Sequence, residues 1–226
     1  MKITRTFLGT MMLAASLQGA AQLPAKVESF PIRCVRLTAS PFKHAEDMDI
    51  QYLLAINPDR LLAPYLKEAG LAPKAINYTN WENTGLDGHV GGHYVSALSY
   101  MYAATGHAEI KGRLDYMISE LQRCQDADGY LSGVPGGRQI WQEIKEGNIR
   151  ASGFGLNDRW VPLYNIHKIY AGLRDAYLIG GKTEAREMLV KLTDWMIRLV
   201  QGLSDEQLQD MLRSEHGGLN ETFADV

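Results

Sequence analysis

Hydrophobic and polar positions follow two different periods along the chain, and the change between them divides it into segments. Residues 22–43 alternate apolar and polar positions between prolines, which is typical of an extended strand or arm. Beyond this segment, apolar residues recur at helical spacing nearly throughout. The pattern predicts helices over 44–56 and 59–68, separated at Asn57-Pro58, where a proline interrupts the periodicity.

Further along, the helices are organised in pairs, in which an apolar helix is followed by an amphipathic one. The predicted elements are a loop over 70–87, helices over 90–105 and 108–126, a long loop over 130–160, helices over 162–179 and 183–202, and a short helix over 204–213. The two pairs also resemble each other in sequence, because HYVSALSYMYAATG with LDYMISEL parallels HKIYAGLRDAYLIGG with LTDWMIRL. The chain therefore contains a repeated helical hairpin.

Repeated hairpins that cannot bury their apolar faces alone must stack on their neighbours. The first helix of each pair is apolar on most sides, as expected of an inner helix, and the second is amphipathic, as expected of an outer one. We therefore predict an all-α fold, an incomplete (α/α)6 barrel of helical hairpins with a short extended N-terminal arm. A closed barrel needs about a dozen helices, and the pattern predicts roughly half of them, so we expect the barrel to continue beyond Val226.

The first residues have the three parts of a secretory signal peptide. Lys2 and Arg5 precede a mostly apolar stretch from Phe7 to Leu17, and Gly19-Ala20-Ala21 supplies the small residues of a cleavage site. We therefore expect residues 1–21 to be removed and the protein to be secreted, into the periplasm if the source is bacterial. An amphipathic first helix of the fold is the alternative interpretation.

Composition and charge narrow the choice of partner. The chain has 226 residues, of which 46% are hydrophobic, enough to bury the core of one domain. It carries 23 basic and 26 acidic residues, and the basic residues form no cluster, which argues against nucleic acid. No apolar run reaches the roughly 20 residues that span a bilayer. A neutral partner such as a sugar fits this composition.

If the inner helices run parallel, their N-terminal ends share one opening, where residues distant in sequence converge. Aromatic rings there would contact the C–H faces of a sugar, while imidazole, amide and carboxylate groups would bond its hydroxyls. The candidate substrate-binding residues are Trp81, His89, His93, Tyr94, Trp160, Tyr164, Asn165, His167, His216, Asn220 and Glu221. Packing inside the core is the alternative role for the aromatic and histidine members.

His89 and His93 have the four-residue spacing of a helical zinc motif. However, the glutamate that follows the first histidine in that motif is missing, and Gly91-Gly92 weaken the helix by about 1 kcal/mol each relative to alanine. A zinc protease is therefore disfavoured, and we predict no metal ligand within this chain. We expect His93 to point into the shared opening.

Carboxylates and thiols give no convincing catalytic pair. Glu221 stands at the start of a new inner helix, where it could orient a sugar, act as an acid or base, or cap the helix. Asp128 is expected to form a turn. Cys124 lies on the apolar side of a predicted helix and is expected to be a buried, inert thiol. Whether it pairs with Cys34 in an oxidising compartment stays open.

Four ordered motifs carry a resemblance to a known family. They are Trp81–Gly106, Gln125–Gly137, Trp160–Tyr177 and Glu215–Asp225. Together they resemble the N-terminal part of the catalytic domain of glycoside hydrolase family 127 and its relative family 146, which are β-L-arabinofuranosidases. Residues 44–226 correspond to that part of the domain.

The resemblance implies an (α/α)6 barrel followed by β-sandwich domains, and removal of β-L-arabinofuranosyl groups from arabinose-containing oligosaccharides or polysaccharides of plants. It also implies a retaining mechanism, in which a cysteine nucleophile is held near zinc by further cysteines and a glutamate. Neither Cys34 nor Cys124 matches that motif. We therefore expect the nucleophile to lie beyond Val226, no zinc to be bound by this chain, and the chain alone to be inactive while supplying walls of the sugar pocket.

Two other functions are compatible with the sequence. Another α/α-barrel sugar enzyme, such as an unsaturated glucuronyl hydrolase, a lyase or an epimerase, would use arginines to bind a uronate, and Arg138, Arg150 and Arg159 are the nearest candidates. A non-enzymatic carbohydrate-binding protein would instead expose aromatic residues along one face.

Overall fold

The computed structural model describes residues 29–226, so the predicted signal peptide and the first part of the arm lie outside the described residues. The rest of the arm is irregular, with a single 3-10 turn at Ile32–Cys34. The hydroxyl oxygen of Ser40 accepts the backbone N–H of Lys43 at 3.2 Å, and Pro41 occupies the first helical position. This cap starts the first helix at Pro41, three residues inside the predicted arm.

Within residues 29–226 the regular secondary structure is helical apart from one small β-hairpin. The elements are α1 (Pro41–Ala55), α2 (Pro58–Glu68), α3 (His89–Thr105), α4 (Ala108–Cys124), α5 (Gly137–Lys145), β1 (Gly155–Leu156), β2 (Arg159–Trp160), α6 (Pro162–Leu178), α7 (Thr183–Val200), α8 (Asp205–Met211) and α9 (Leu219–Ala224). A second 3-10 turn spans Asn80–Asn83. No helix in this described part is long and apolar enough to cross a membrane.

Local side-chain chemistry explains where the predicted helices begin and end. The Asn57 side chain accepts the N–H of Asp59 at 2.9 Å at the start of α2. Ser204 and Gln207 form a reciprocal capping box at the start of α8. Gly106 ends α3 in the left-handed conformation, with φ of 72°. These helices agree with the periodicity of the sequence to within a few residues.

The predicted loop over 130–160 was wrong in its middle, where α5 forms. Ile140, Trp141 and Ile144 are buried on one face of this helix, which packs against α7. Their spacing is helical, but the helix has only nine residues and starts at a left-handed glycine, Gly136. A short helix of this kind depends on tertiary packing more than on its own sequence.

The hairpin of β1 and β2 was also missed in that loop. Gly155 pairs with Trp160 and Leu156 pairs with Arg159 in antiparallel register. The connecting residues Asn157 and Asp158 have φ values of 48° and 62°, as a type I′ turn requires. Because the turn lacks the glycine that usually marks it, the sequence signal was weak. Trp160 ends the hairpin and therefore lies two residues before the start of α6.

Among the elements of residues 29–226, α3 and α6 share the most extensive contact, and glycines allow their backbones to come close. A Cβ atom built on Gly92 would lie 2.2 Å from the carbonyl oxygen of Lys168. One built on Gly172 would lie 2.7 Å from the carbonyl oxygen of Gly92. The two backbones therefore touch directly, which brings the first turns of both helices close together.

The hairpins stand side by side in chain order. Helix α3 packs with α4, α6 packs with α7, and the second helices α4 and α7 also contact each other. Helices α1 and α2 cover α3 and α4, while α9 packs on α6. This arrangement of the described residues confirms an all-α fold of stacked helical hairpins, with α3 and α6 at its centre.

The two cysteines are free thiols in different environments. Cys34 is exposed and Cys124 is buried. Burial, with a smaller contribution from the negative charge of Glu120, raises the pKa of the Cys124 thiol to about 12. Because the thiolate is the reactive form, we expect a disulfide-exchange reagent to modify one thiol rapidly in the folded protein and the second only after unfolding. Cys34→Ser should remove the fast phase; a fast phase that persists would contradict this assignment.

Candidate functional site

The first turns of α3 and α6 bring five of the predicted site residues into one aromatic and histidine cluster. The rings of Trp160 and Trp81 lie 6.4 Å apart, edge to face, and Trp81 lies 6.3 Å from His89. The His89 ring is 6.2 Å from both His93 and Tyr164, measured between centroids. These rings therefore lie next to one another, and their role in binding a sugar stays a prediction.

The same cluster continues onto α9. The Nε2 atom of His93 lies 3.5 Å from the hydroxyl oxygen of Tyr164. One turn further along α6, Nδ1 of His167 accepts the backbone N–H of Gly218 at 3.2 Å. A Cβ atom on Gly218 would lie 3.0 Å from His167 Nε2 and 3.7 Å from a carboxylate oxygen of Glu221. Both side chains therefore border Gly218 at the start of α9. Hereafter, "the band" means Trp160, Trp81, His89, His93, Tyr164 and His167.

Glu82 is a site residue that the sequence analysis missed. Its side chain is only 3% exposed. One carboxylate oxygen accepts the N–H of Gly88 at 3.1 Å, and the other accepts the N–H of Val90 at 3.0 Å and lies 2.7 Å from Nδ1 of His89. A carboxylate is favoured at a helix N-terminus, and Gly88 has no side chain of its own to cap α3. Glu82 therefore both caps α3 and holds His89.

The loop before α3 is fixed by buried polar groups. Asp87 accepts the N–H of Gly85 at 2.9 Å and the side-chain amide of Asn77 at 3.1 Å. Burial is the largest influence on the Asp87 carboxyl and raises its pKa. The side-chain amide of Asn165 donates to the carbonyl oxygen of Asp87 at 2.7 Å. The side-chain amide of Asn77 also donates to the carbonyl oxygen of Glu82 at 2.6 Å, so these contacts fix the position of Glu82.

Two predicted binding residues are instead structural. Asn165 is fully buried and bonds the loop before α3, so it does not reach the opening. Tyr94 is 3% exposed, and its hydroxyl donates to the carbonyl oxygen of Leu53 at 2.7 Å and accepts from Arg113 at 3.2 Å. Each residue directly follows a member of the band on its helix, and a rotation of about 100° per residue turns it toward the core.

Two more of the predicted binding residues, His216 and Asn220, lie just before α9 and in its first turn. Nδ1 of His216 lies 3.1 Å from the carbonyl oxygen of Ser214, a contact within the turn before α9. Asn220 is exposed on the first turn of α9. The contacts of the described residues do not connect either side chain to the band.

Two histidines of the band, His93 and His167, are neutral at physiological pH. Burial, followed by the positive charges of Lys168 and His93, lowers the pKa of His167 to about 4. Burial also lowers the pKa of His93, with further contributions from Lys168 and His89. Lys168 itself is half-buried, with its amine 4.5 Å from the centre of the Tyr164 ring. His93 and His167 therefore act as hydrogen-bonding groups and not as charges.

The low pKa of His167 makes stability depend on pH. An unfolded histidine gains a proton as the pH falls through about 6.5, whereas folded His167 gains one only near pH 4. Stability contributed by this group is therefore present above pH 6.5 and is lost as the pH falls toward 4. We expect urea unfolding to show a loss on the order of 1 kcal/mol between pH 7 and pH 5, and His167→Gln to remove that part of the loss. An unchanged pH dependence in the variant would contradict the assignment.

A cleft of about 860 Å³ adjoins the band. Trp81, Glu82 and His89 form part of its wall, and Tyr52 and Tyr78 add two further aromatic rings. The Trp81 side chain is 63% exposed, so its ring is available to a ligand. An aromatic surface of this kind suits a molecule that has both apolar faces and hydroxyl groups.

No group of three histidine, cysteine, aspartate or glutamate side chains within residues 29–226 is arranged to hold a metal ion. Nδ1 of His89 is already bonded to Glu82, and the His89 and His93 rings meet edge to face. The residues present therefore do not fit the zinc and thiolate centre that the family resemblance implies.

The described residues form stacked helical hairpins, with aromatic and histidine rings gathered at one end of α3 and α6. Residues 34–226 match the family model described as beta-L-arabinofuranosidase, GH127 catalytic domain. The chain belongs to this family, and its domain is that of a glycoside hydrolase. A comparison with curated proteins gives no match.

Proposed function

We propose that this chain forms sugar-contacting walls in the active site of a secreted β-L-arabinofuranosidase that acts on arabinose-containing plant glycans with retention of configuration. The observation that carries the proposal is the band, which gathers residues from two of the four sequence motifs at one end of α3 and α6, with Gly218 of a third motif bonded to His167. In this role Trp81 and Trp160 stack on the sugar, and His89, His93, Tyr164 and His167 bond its hydroxyls.

Two of the three arginines that a uronate enzyme would use are taken up by ion pairs. Arg138 pairs with Asp128, and Arg150 pairs with Glu143 and Asp158. The third arginine that a uronate enzyme would use, Arg159, packs its guanidinium group against Gly136. Arg138 and Arg150 are thus bonded to acidic side chains outside the band, while His93 and His167 are neutral.

The proposed contribution to catalysis is the positioning of substrate. When bound, zinc in this family would hold the nucleophilic sulfur as a thiolate, but Cys124 is buried with a protonated thiol and Cys34 lies exposed on the arm. Glu221, in the first turn of α9, is proposed to accept a hydrogen bond from a sugar hydroxyl and so to fix the orientation of the ring.

Binding of methyl β-L-arabinofuranoside tests the proposal directly, by titration calorimetry or by NMR. We expect Tyr164→Phe to weaken binding about five-fold, because one neutral hydrogen bond contributes about 1 kcal/mol. Trp81→Ala should weaken it by about two- to ten-fold through loss of ring stacking. Tyr100→Phe is a matched control, since Tyr100 is an exposed tyrosine on α3 outside the band. Equal effects in Tyr164→Phe and Tyr100→Phe, or tighter binding of a methyl glucuronide, would contradict the proposal.

Hydrolysis of an aryl β-L-arabinofuranoside separates binding from bond cleavage. We expect this chain alone to bind the sugar without turnover, because the described residues include no metal and thiolate cluster. Turnover that survives purification and a metal chelator would show that the chain carries its own catalytic groups.

A further inference from the structure

His89 and His167 are both bonded through Nδ1, but to partners of opposite kind. Nδ1 of His89 lies 2.8 Å from the carbonyl oxygen of Leu86 and 2.7 Å from the carboxylate of Glu82. A carbonyl oxygen and an ionised carboxylate have no proton to donate, so both can only accept hydrogen bonds. Nδ1 of His89 therefore carries the proton.

At His167 the partner is a donor. The backbone N–H of Gly218 points to Nδ1 at 3.2 Å, and a backbone N–H can only donate. Nδ1 of His167 must therefore hold a lone pair. Because the ring stays neutral down to a pKa of about 4, its single proton resides on Nε2.

We propose that the band holds these two imidazoles in opposite tautomers, so that Nε2 of His89 accepts a hydrogen bond from the ligand while Nε2–H of His167 donates one. Glu82 is then a positioning residue, since it acts on the ligand only through His89. The sequence contains both histidines but gives no sign of this difference, which arises from contacts with Leu86, Glu82 and Gly218.

Opposite tautomers define the chemical class of the ligand. A hydroxyl group both donates and accepts, so a polyol satisfies the lone pair on His89 and the N–H on His167 at once. A carboxylate can only accept, and it would leave the His89 lone pair facing another lone pair. The arrangement selects neutral sugars. This statement about the ligand rests on the proposed function, whereas the tautomers themselves do not.

Long-range ¹H–¹⁵N NMR spectra of the ¹⁵N-labelled chain test the tautomers without any sugar. Protonated and unprotonated ring nitrogens differ widely in chemical shift, and the spectra of His89→Gln and His167→Gln assign the signals. At pH 8 we expect His89 to show a protonated Nδ1 and an unprotonated Nε2, and His167 to show the reverse. The same tautomer in both rings, or a doubly protonated His89, would overturn the proposal.

A matched pair of substitutions at His167 tests how the ligand uses the tautomer. Glutamine can place an amide N–H near the position of Nε2. Asparagine is shorter: its side-chain oxygen can still accept the Gly218 N–H, but it places no donor at the position of Nε2. We expect His167→Gln to bind methyl β-L-arabinofuranoside within about two-fold of the unmodified chain and His167→Asn to bind about five-fold more weakly. Equal binding by the two variants would show that the ligand does not use Nε2–H. Sugar that fails to bind the unmodified chain would refute the proposed function, while the NMR result would still decide the tautomers.

Discussion

Gly92→Ala is expected to lower the free energy of unfolding by about 3 kcal/mol, as measured by urea denaturation followed by far-UV circular dichroism. The added methyl group would lie 2.2 Å from the carbonyl oxygen of Lys168 and 2.7 Å from the backbone nitrogen of Ile169. Backbone atoms inside a packed helix cannot move aside individually, so α3 and α6 must separate. Overpacking of this kind typically costs about 1–3 kcal/mol and sometimes more.

Gly112→Ala is the matched control for that substitution. Gly112 also lies inside a helix, α4, but a Cβ atom there would meet nothing within 4 Å. Alanine is favoured over glycine in helices by about 1 kcal/mol, so Gly112→Ala should stabilise the protein by up to that amount. Opposite signs in the two variants are the expected result. A stabilising Gly92→Ala would show that the close approach of α3 and α6 is not present in solution.

The same contact connects stability with the site. Since α3 carries His93 and α6 carries Tyr164, a separation of the two helices would lengthen the 3.5 Å distance between His93 Nε2 and the Tyr164 hydroxyl. Gly92→Ala should therefore weaken sugar binding even at temperatures at which the variant is still folded. Gly112→Ala should leave binding unchanged.

The sequence predicted the helix that contains these glycines but not the reason for the glycines. Periodicity identified α3, but Gly91-Gly92 looked only like a weak point between two histidines. An isolated glycine in a helical pattern can equally indicate a close backbone approach, and here that second meaning is the correct one. The partner backbone, at Lys168 and Ile169, is more than seventy residues away, and no local pattern identifies it.

Convergence of the site was predictable, but the direction of individual side chains was less so. His89, His93, Trp160, Tyr164 and His167 do gather where parallel first helices place them. Their immediate neighbours along the helices were assigned to the site by proximity in sequence, although helical geometry turns the next residue by about 100°. A stricter use of the helical period would have separated the two groups.

Glu82 was missed for a different physical reason. A helix-capping side chain is usually recognised within three residues of the helix start, whereas Glu82 reaches Gly88 and Val90 across a loop of several residues. The shape of that loop depends on Asn77 and Asp87, which bond each other. Contacts that require a folded loop cannot be inferred from spacing alone.

Glu82→Gln is expected to lower the free energy of unfolding by about 2–3 kcal/mol, although the two side chains have nearly the same shape. Glu82 uses both oxygens as acceptors, for Gly88 and for Val90. An amide has one oxygen, so its NH₂ group must face one of these backbone N–H groups. A buried donor that loses its partner costs about 1–3 kcal/mol, and the variant also loses the negative charge at the helix N-terminus.

Hydrogen exchange tests this prediction at the two backbone amides that Glu82 accepts. The amides of Gly88 and Val90 should exchange faster in Glu82→Gln, and the NMR signals of the His89 ring should broaden or shift because its Nδ1 partner has changed. Glu109→Gln is the control, since Glu109 is an exposed glutamate in the first turn of α4 and its substitution should change stability by no more than about 0.5 kcal/mol. If both variants lost the same stability, negative charge near a helix end would explain the effect, and the bonds that Glu82 makes to α3 and His89 would not.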